Sequence, residues 1–318
     1  MNTILVTMPL NSRHRERLEQ KAKDCKFEYI PESGIVAEDV QAADIIVGRV
    51  PPEYIRESSR LKLLQLASAG TDGYTAAGVL AERTVLTNAT GAYGKSVAEH
   101  MFAMMMALQK KLHLYRDDQF NGAWNDYGEI VSIADSTVLI IGLGDIGLHF
   151  AGMAKALGAY VTGIKRRPSA CPQQVDELHY MSELDQVLPK ADVVFSILPN
   201  TPQTRGIYNE EFFAKMKNSA VFLNAGRGNA VDQKALAEAI RSGELAFAGL
   251  DVTDPEPLPP GHPLWQEANV FITPHASGQF HLSETLDRIV EIAAFNIEAC
   301  LTGKPLKNIV DLETGYCK

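Results

Sequence analysis

Short apolar runs alternate with longer stretches whose apolar residues recur at helical spacing. Residues 4–7, 44–48, 61–67 and 85–88 read as strands. Between them, residues 12–24 form a helix with a polar face, and Pro51-Pro52 opens another. A second series begins with a strand at Thr137 and continues with strands at 160–164, 193–198, 221–224, 248–252 and 270–273. A final helix covers 283–302. Such alternation predicts α/β architecture with parallel sheets under helices. Residues 96–119 join the two series, with Val97, Met101, Met104, Met105, Leu108, Leu112 and Tyr115 at helical spacing. They predict one long helix, its methionines packed in the core. A helix this apolar also points to burial against a second copy, a homodimer. Two sheets without a flexible linker predict two domains across a cleft, a usual place for a ligand.

Composition narrows the partners. A net charge of −9 argues against nucleic acid or an anionic membrane surface. No apolar run approaches the length of a membrane span. The first residues lack the charged and apolar regions of a secretory signal. Cys25, Cys171, Cys300 and Cys317 form no C-x-x-C pair. Free thiols in a reducing compartment are the simpler reading than disulfides or a metal. These features together predict a cytoplasmic protein.

The strand from Thr137 runs into Gly142-Leu143-Gly144-Asp145-Ile146-Gly147, followed by a helical pattern. Strand, glycine turn and helix are the context in which G-x-G-x-x-G means dinucleotide binding. Gly142 permits the tight turn, Gly144 lets backbone approach a pyrophosphate, and Gly147 lets helix and strand pack closely. The helix N-terminus supplies N–H groups for the phosphates.

An acidic residue normally follows about twenty positions later, at the end of the next strand, to hold the ribose 2′-hydroxyl of NAD. Here that strand ends in Lys165-Arg166-Arg167-Pro168, with no carboxylate. Cations there suit the 2′-phosphate of NADP, so NADP is the expected cofactor, with NAD the alternative. A solvated basic turn is the plainer reading of the same residues.

Further stretches fall in a fixed order: Ala67-Ser68-Ala69-Gly70-Thr71-Asp72, Asn88-Ala89-Thr90-Gly91 with Val97-Ala98-Glu99-His100, Leu198-Pro199-Asn200-Thr201-Pro202-Gln203-Thr204, Asn224-Ala225-Gly226-Arg227-Gly228, Gly249-Leu250-Asp251-Val252, Glu256-Pro257 and Pro274-His275-Ala276-Ser277-Gly278. With the glycine fingerprint, this order resembles the D-isomer-specific 2-hydroxyacid dehydrogenase family over nearly the whole chain. The resemblance implies two flavodoxin- and Rossmann-like domains: a discontinuous substrate domain, residues 1–98 plus 283–318, and a dinucleotide-binding domain, residues 99–282. It implies a 2-keto acid reduced to the R-2-hydroxy acid. It also puts Pro199, Thr204, Ala225, Gly226, Asp251, Ser277 and Gly278 near the cofactor, beside Gly142, Gly144, Asp145, Ile146 and Gly147.

The chemistry needs a cation for the carboxylate, an acid for the forming alkoxide and a hydride donor. Arg227, in a glycine-flanked turn after a strand, has a guanidinium that forks onto carboxylate oxygens and stays charged. His275 is the acid–base candidate, because its ordinary pKa lies near neutrality. By the resemblance, Glu256 is its carboxylate partner, and backbone N–H groups near Ala69 and Gly70 hold the substrate carboxylate. Asp145 departs from many relatives, which carry arginine there to help hold the pyrophosphate. Trp124 and Tyr93 are candidates to shape the pocket, or equally core aromatics.

The basic cluster favours the reductive direction, hence a glyoxylate/hydroxypyruvate reductase or an enzyme for bulkier 2-keto acids. A phosphoglycerate dehydrogenase-like enzyme is weaker, since no further regulatory segment follows Lys318. A dinucleotide-sensing corepressor-like protein is also open, but Arg227, Glu256 and His275 are all present. Pro274 stands where the formate-oxidising branch usually carries glutamine.

Overall fold

The computed structural model describes residues 1–56, 58–315 and 317. The chain forms two compact units, residues 1–93 with 280–318, and residues 94–279.

The first unit runs β1 (Thr3–Val6), α1 (Ser12–Glu19), β2 (Lys26–Tyr29), α2 (Ala37–Ala42), β3 (Ile45–Val47), α3 (Pro52–Ile55), β4 (Leu63–Gln65) and β5 (Val85–Thr87). Its sheet is parallel, in the order β2-β1-β3-β4-β5. This is the flavodoxin-like order. Leu5, Ile46 and Leu64 are fully buried at its centre, as expected of parallel strands covered on both faces.

The second unit runs α4 (Gly94–Gln109), α5 (Leu112–Asn121), β6 (Thr137–Ile141), α6 (Asp145–Ala156), β7 (Tyr160–Lys165), β8 (Glu177–Tyr180), α7 (Leu184–Val187), β9 (Val193–Ser196), α8 (Glu210–Ala214), β10 (Val221–Asn224), α9 (Gln233–Ser242), β11 (Phe247–Leu250) and β12 (Val270–Ile272). All its strands are parallel, in the order β12-β11-β10-β9-β6-β7-β8. Strand order reverses between β6 and β9. That switch point opens a crevice outside the strands' carboxyl ends, where doubly wound sheets take ligands.

Two expectations change. The strands β2 and β8 lie at sheet edges with mixed sequences, Lys-Phe-Glu-Tyr and Glu-Leu-His-Tyr. Neither carries the continuous apolar run that marked the others. The single helix over 96–119 is two helices, broken where Lys111 takes φ 56°. Met101, Met104 and Met105 are buried, with the Met104 side chain packed over Gly249. Leu112 and Tyr115, beyond the break, are exposed. The periodicity therefore outran the helix whose core it described.

The last helix, α10 (Ser283–Thr302), belongs to the first unit. It packs along α1, where the polar face finds its partners: His14 with Asp287 (2.9 Å), Arg17 with Glu291 (3.1 Å) and Lys21 with Glu298 (2.8 Å). The Arg17 and Lys21 pairs are exposed and contribute at most about 1 kcal/mol each, whereas His14 is buried. Among the described residues, no helix is long and apolar enough to cross a membrane.

Asp44 is the more consequential ion. Burial pushes its carboxyl up, but the Thr3 N–H (2.9 Å), Arg60 (2.9 Å) and Lys62 (3.4 Å) outweigh this and hold it below the ordinary 3.8. The shift is downward, so its stabilisation is complete above that ordinary value and is lost as pH falls through the folded one. Asp44→Asn should lower stability at neutral pH by about 1–3 kcal/mol. Melting curves at pH 7 and pH 3 check this: the gap between variant and wild type should shrink at the acid end, and a constant gap would refute it.

Candidate active site

The glycine fingerprint sits at the switch point. Gly142 leaves β6 with φ 111°, and a Cβ there would press on the Ile197 backbone at 2.9 Å. A Cβ on Gly147 would strike the Gly142 carbonyl. Gly144, the N-cap of α6, differs: it is exposed, and a Cβ there would meet nothing within 4 Å. Two glycines are thus consumed by the protein's own packing, while the third keeps the helix N-terminus open to an approaching anion. That arrangement fits a dinucleotide pyrophosphate. Asp145 sits at the first turn of α6 beside His149 (3.4 Å), packed against Gly94 at the start of α4; Ile146 follows, half-buried.

Lys165 ends β7, half-buried, with its ammonium on the Ser169 hydroxyl (3.1 Å); Arg166 and Arg167 are exposed. After β9, the Thr204 hydroxyl donates to the Pro199 carbonyl (2.6 Å) and accepts the Thr201 N–H (2.9 Å). These bonds fold residues 199–204 into a tight turn at the same edge of the sheet.

Arg227 is presented by a turn after β10. Buried Asn224 clamps it, accepting the Gly226 N–H (3.0 Å) and donating to the Arg227 carbonyl (3.1 Å). A Cβ on Gly226 would collide with the Leu198 backbone, and one on Gly228 with the Thr253 backbone. The turn is therefore wedged between two other loops. The glycines flanking Arg227 are required for that close approach, and Ala225 enters the same turn.

The loops after β11 and β12 bring Glu256 and His275 together. His275 Nδ1 faces Glu256 Oε2 at 2.9 Å, and Glu256 Oε1 accepts the Thr253 N–H (3.1 Å). A carboxylate only accepts, so Nδ1 carries the proton of this bond and Nε2 points elsewhere. His275 takes φ 50°, a conformation unusual for a side-chain-bearing residue. Buried Asp251 holds it there. The Asp251 carbonyl accepts the His275 N–H (2.8 Å), and its carboxylate accepts the Ala276 N–H (2.9 Å) and the Thr273 hydroxyl (2.7 Å). The Ser277 hydroxyl also donates to Asp251. Asp251 and Ser277 are expected near the cofactor; here the Asp251 carboxylate is taken up by Thr273, Ala276 and Ser277, and the Ser277 hydroxyl by Asp251. Gly278, half-buried, follows them.

Thr273, and His100 at 3.1 Å from its hydroxyl, complete this network. Sequence reading took Thr273 only as a strand end, and His100 only as the last residue of the Val97–His100 stretch that carries the resemblance; it gave neither a role.

In the first unit, Ala69 and Gly70 lie on the loop after β4. Tyr93 is buried, and its hydroxyl donates to the Ala67 carbonyl (2.6 Å). Trp124 is 101% exposed, which corrects both readings of it: the ring lies neither in a pocket of its own chain nor in its core.

The profile for the D-isomer specific 2-hydroxyacid dehydrogenase NAD-binding domain matches residues 102–277. A glyoxylate reductase/hydroxypyruvate reductase of Mus musculus is 30% identical over 327 residues, covering 97% of this chain and 98% of its own. A glycerate dehydrogenase of Methylorubrum extorquens is 31% identical over 302 residues, covering 91% of each. A D-isomer specific 2-hydroxyacid dehydrogenase from Xanthobacter autotrophicus, solved with NADPH and MES, superposes with a TM-score of 0.85 at 28% identity over 99% of each chain.

Proposed function

The chain belongs to the D-isomer-specific 2-hydroxyacid dehydrogenase family, and from that premise we propose that it reduces a small 2-keto acid to the R-2-hydroxy acid, with NADP preferred over NAD. The observation that carries the reaction is the 2.9 Å pair between His275 Nδ1 and Glu256, held in the same unit as the wedged Arg227 turn.

Each residue then has a task. When bound, the reduced nicotinamide supplies hydride to the keto carbon. Arg227 grips the substrate carboxylate and polarises the ketone oxygen. The N–H groups near Ala69 and Gly70 share the carboxylate. His275 delivers a proton from Nε2 to the forming alkoxide, and Glu256 stabilises the imidazolium that precedes the transfer. Asp251, with Thr273 and Ser277, fixes the loop from which His275 acts. The turn at Pro199 and Thr204, the strand end at Ala225 and Gly226, and Ser277 with Gly278 border the nicotinamide and phosphates.

Lys165 ends β7, the strand after the glycine fingerprint, and Arg166 and Arg167 follow it exposed; cations at that strand end support NADP and the reductive direction. The names of the relatives favour glyoxylate or hydroxypyruvate, with bulkier 2-keto acids as the alternative. Four free cysteines accord with a cytoplasmic location. The exposed Phe120, Trp124, Ile130 and Val131 accord with a homodimer.

The test is consumption of NADPH, with NADH in parallel, against glyoxylate, hydroxypyruvate, pyruvate, phenylpyruvate and branched 2-keto acids. Turnover favouring NADPH is expected. Turnover with NADH alone would sink the cofactor assignment, and none with either would sink the reaction. The doubly substituted Lys165→Ala/Arg166→Ala should raise the NADPH KM by about 10–100-fold, from two lost charge-assisted contacts, and leave the NADH KM within twofold. Equal effects on both cofactors would remove the cluster from the 2′-phosphate.

A further inference from the structure

The loop that carries Glu256 is anchored at both ends and lightly held between them. Asp251 and Val252 are buried before it, and Leu258 is buried after it. Residues 254–257 are exposed. Within the loop, the Thr253 N–H donates to Glu256 Oε1 (3.1 Å) and the Thr253 hydroxyl to the Pro255 carbonyl (3.1 Å). Among the described residues, two side chains reach it from outside by hydrogen bond. One is His275, at Glu256 Oε2; the other is Gln233, whose Nε2 donates to the Asp254 carbonyl. The side chains of Glu256 and His275 are 40% and 49% exposed, so packing does not fix their separation. The course of the loop does.

We infer that Gln233 is a positioning residue for the acid–base pair: by pinning the Asp254 carbonyl, it sets where the Glu256 carboxylate meets His275. This rests on the proposed reductase function. Gln233 acts from a fixed point. It is the first residue of α9, directly after the N-cap Asp232. The Asp232 N–H is bonded to the Tyr208 carbonyl (2.9 Å), and Asp232 Oδ1 accepts the N–H groups of Lys234 (3.0 Å) and Ala235 (3.1 Å). Leu236 and Ile240 of α9 lie in the same core cluster as Leu258. Helix and loop end thus pack into one core, and Gln233 adds the polar link between them.

The amide itself argues for this role. Gln233 is 8% exposed, and among the described residues its Oε1 is buried and meets no donor. An unpaired buried acceptor destabilises the fold, and methionine, of similar length, would fill the site without one. What the glutamine gains is the bond from Nε2, and that bond goes to the loop of the acid–base pair. A reversed amide would set Oε1 against the Asp254 carbonyl, so the partner dictates which end of the amide faces it. The same loop is met from the Arg227 side, since a Cβ on Gly228 would collide with the Thr253 backbone. Gln233 therefore joins the segment that presents Arg227 to the loop that presents Glu256.

The test compares Gln233→Met with Gln233→Glu. Methionine removes both the donor and the unpaired acceptor. Glutamate keeps the size, suits the first turn of a helix and removes the donor. Both should lower kcat for keto acid reduction by about 5–20-fold, the scale of one lost hydrogen bond. NADPH affinity, and the affinity for oxalate titrated onto the NADPH-saturated protein, should stay within about threefold, because the glycine turn and Arg227 keep their own supports. The deciding measurement repeats Gln233→Met on a Glu256→Ala background. A residue acting through Glu256 should then change kcat by less than about twofold. The full loss on that background would mean that Gln233 acts elsewhere and would overturn the inference. An equal loss of oxalate affinity would place its effect on the Arg227 turn and overturn it too. So would wild-type kcat in either folded variant, or failure of both to fold, the mark of a purely structural residue. A wild-type protein that reduces no keto acid would overturn the functional reading, and this inference with it.

Discussion

Replacing His275 by alanine should lower kcat for 2-keto acid reduction by about 10²–10⁴, the range for losing a positioned acid–base group. NADPH binding should stay within a few-fold, because the glycine turn at Gly144 proposed to hold the phosphates is built from β6 and α6, independently of this loop. The size follows from the geometry. His275 is held by backbone bonds to Asp251 and oriented by Glu256 at 2.9 Å, so under the proposed role its proton would leave from a fixed point. Water can replace the proton but cannot occupy that point with the same orientation. Stopped-flow and steady-state rates on the folded variant decide it. Turnover within fivefold of wild type would remove His275 from the acid's role.

Replacing Arg227 should be nearly as damaging but with a different signature. Arg227→Gln should cut kcat/KM by about 10²–10³, as for removal of one preorganised donor to a developing oxyanion. Arg227→Lys should recover only a small part. The ammonium restores the charge but lacks the planar fork that meets two oxygens together. Loss should appear in both KM and kcat, because the carboxylate is held in the ground state and the ketone oxygen gains charge in the transition state. An effect confined to KM would mean Arg227 only binds. A lysine variant with near-normal kcat/KM would mean that charge alone suffices.

The sequence was most informative where one local feature has one physical cause. The fully buried parallel strands carry continuous apolar runs, so β1, β3, β4, β6, β9 and β10 were legible within a residue or two at most boundaries. The edge strands β2 and β8 were not, since a strand covered on fewer sides needs no such run. The break at Lys111 was hidden because the apolar spacing continued through it. The fingerprint glycines were readable as a set, yet their division of labour was not. That Gly142 and Gly147 are filled by the chain's own backbone while Gly144 is open depends on what packs behind each.

By itself, the chain determined that it folds as α/β units, that one of them carries a dinucleotide turn, and that arginine, glutamate and histidine lie in loops after strands. These are local properties: periodicity, glycine spacing and residue chemistry act over a few neighbours. Only the tertiary structure decided which groups meet. It set Glu256 against His275 across nineteen positions of chain, backed the Arg227 turn onto Thr253, and gave the Asp251 carboxylate to the His275 loop. It returned α10 to α1, and set Gln233 on the Asp254 carbonyl. Each contact joins residues far apart in sequence through a sheet whose strand order reverses, and no local pattern encodes that order.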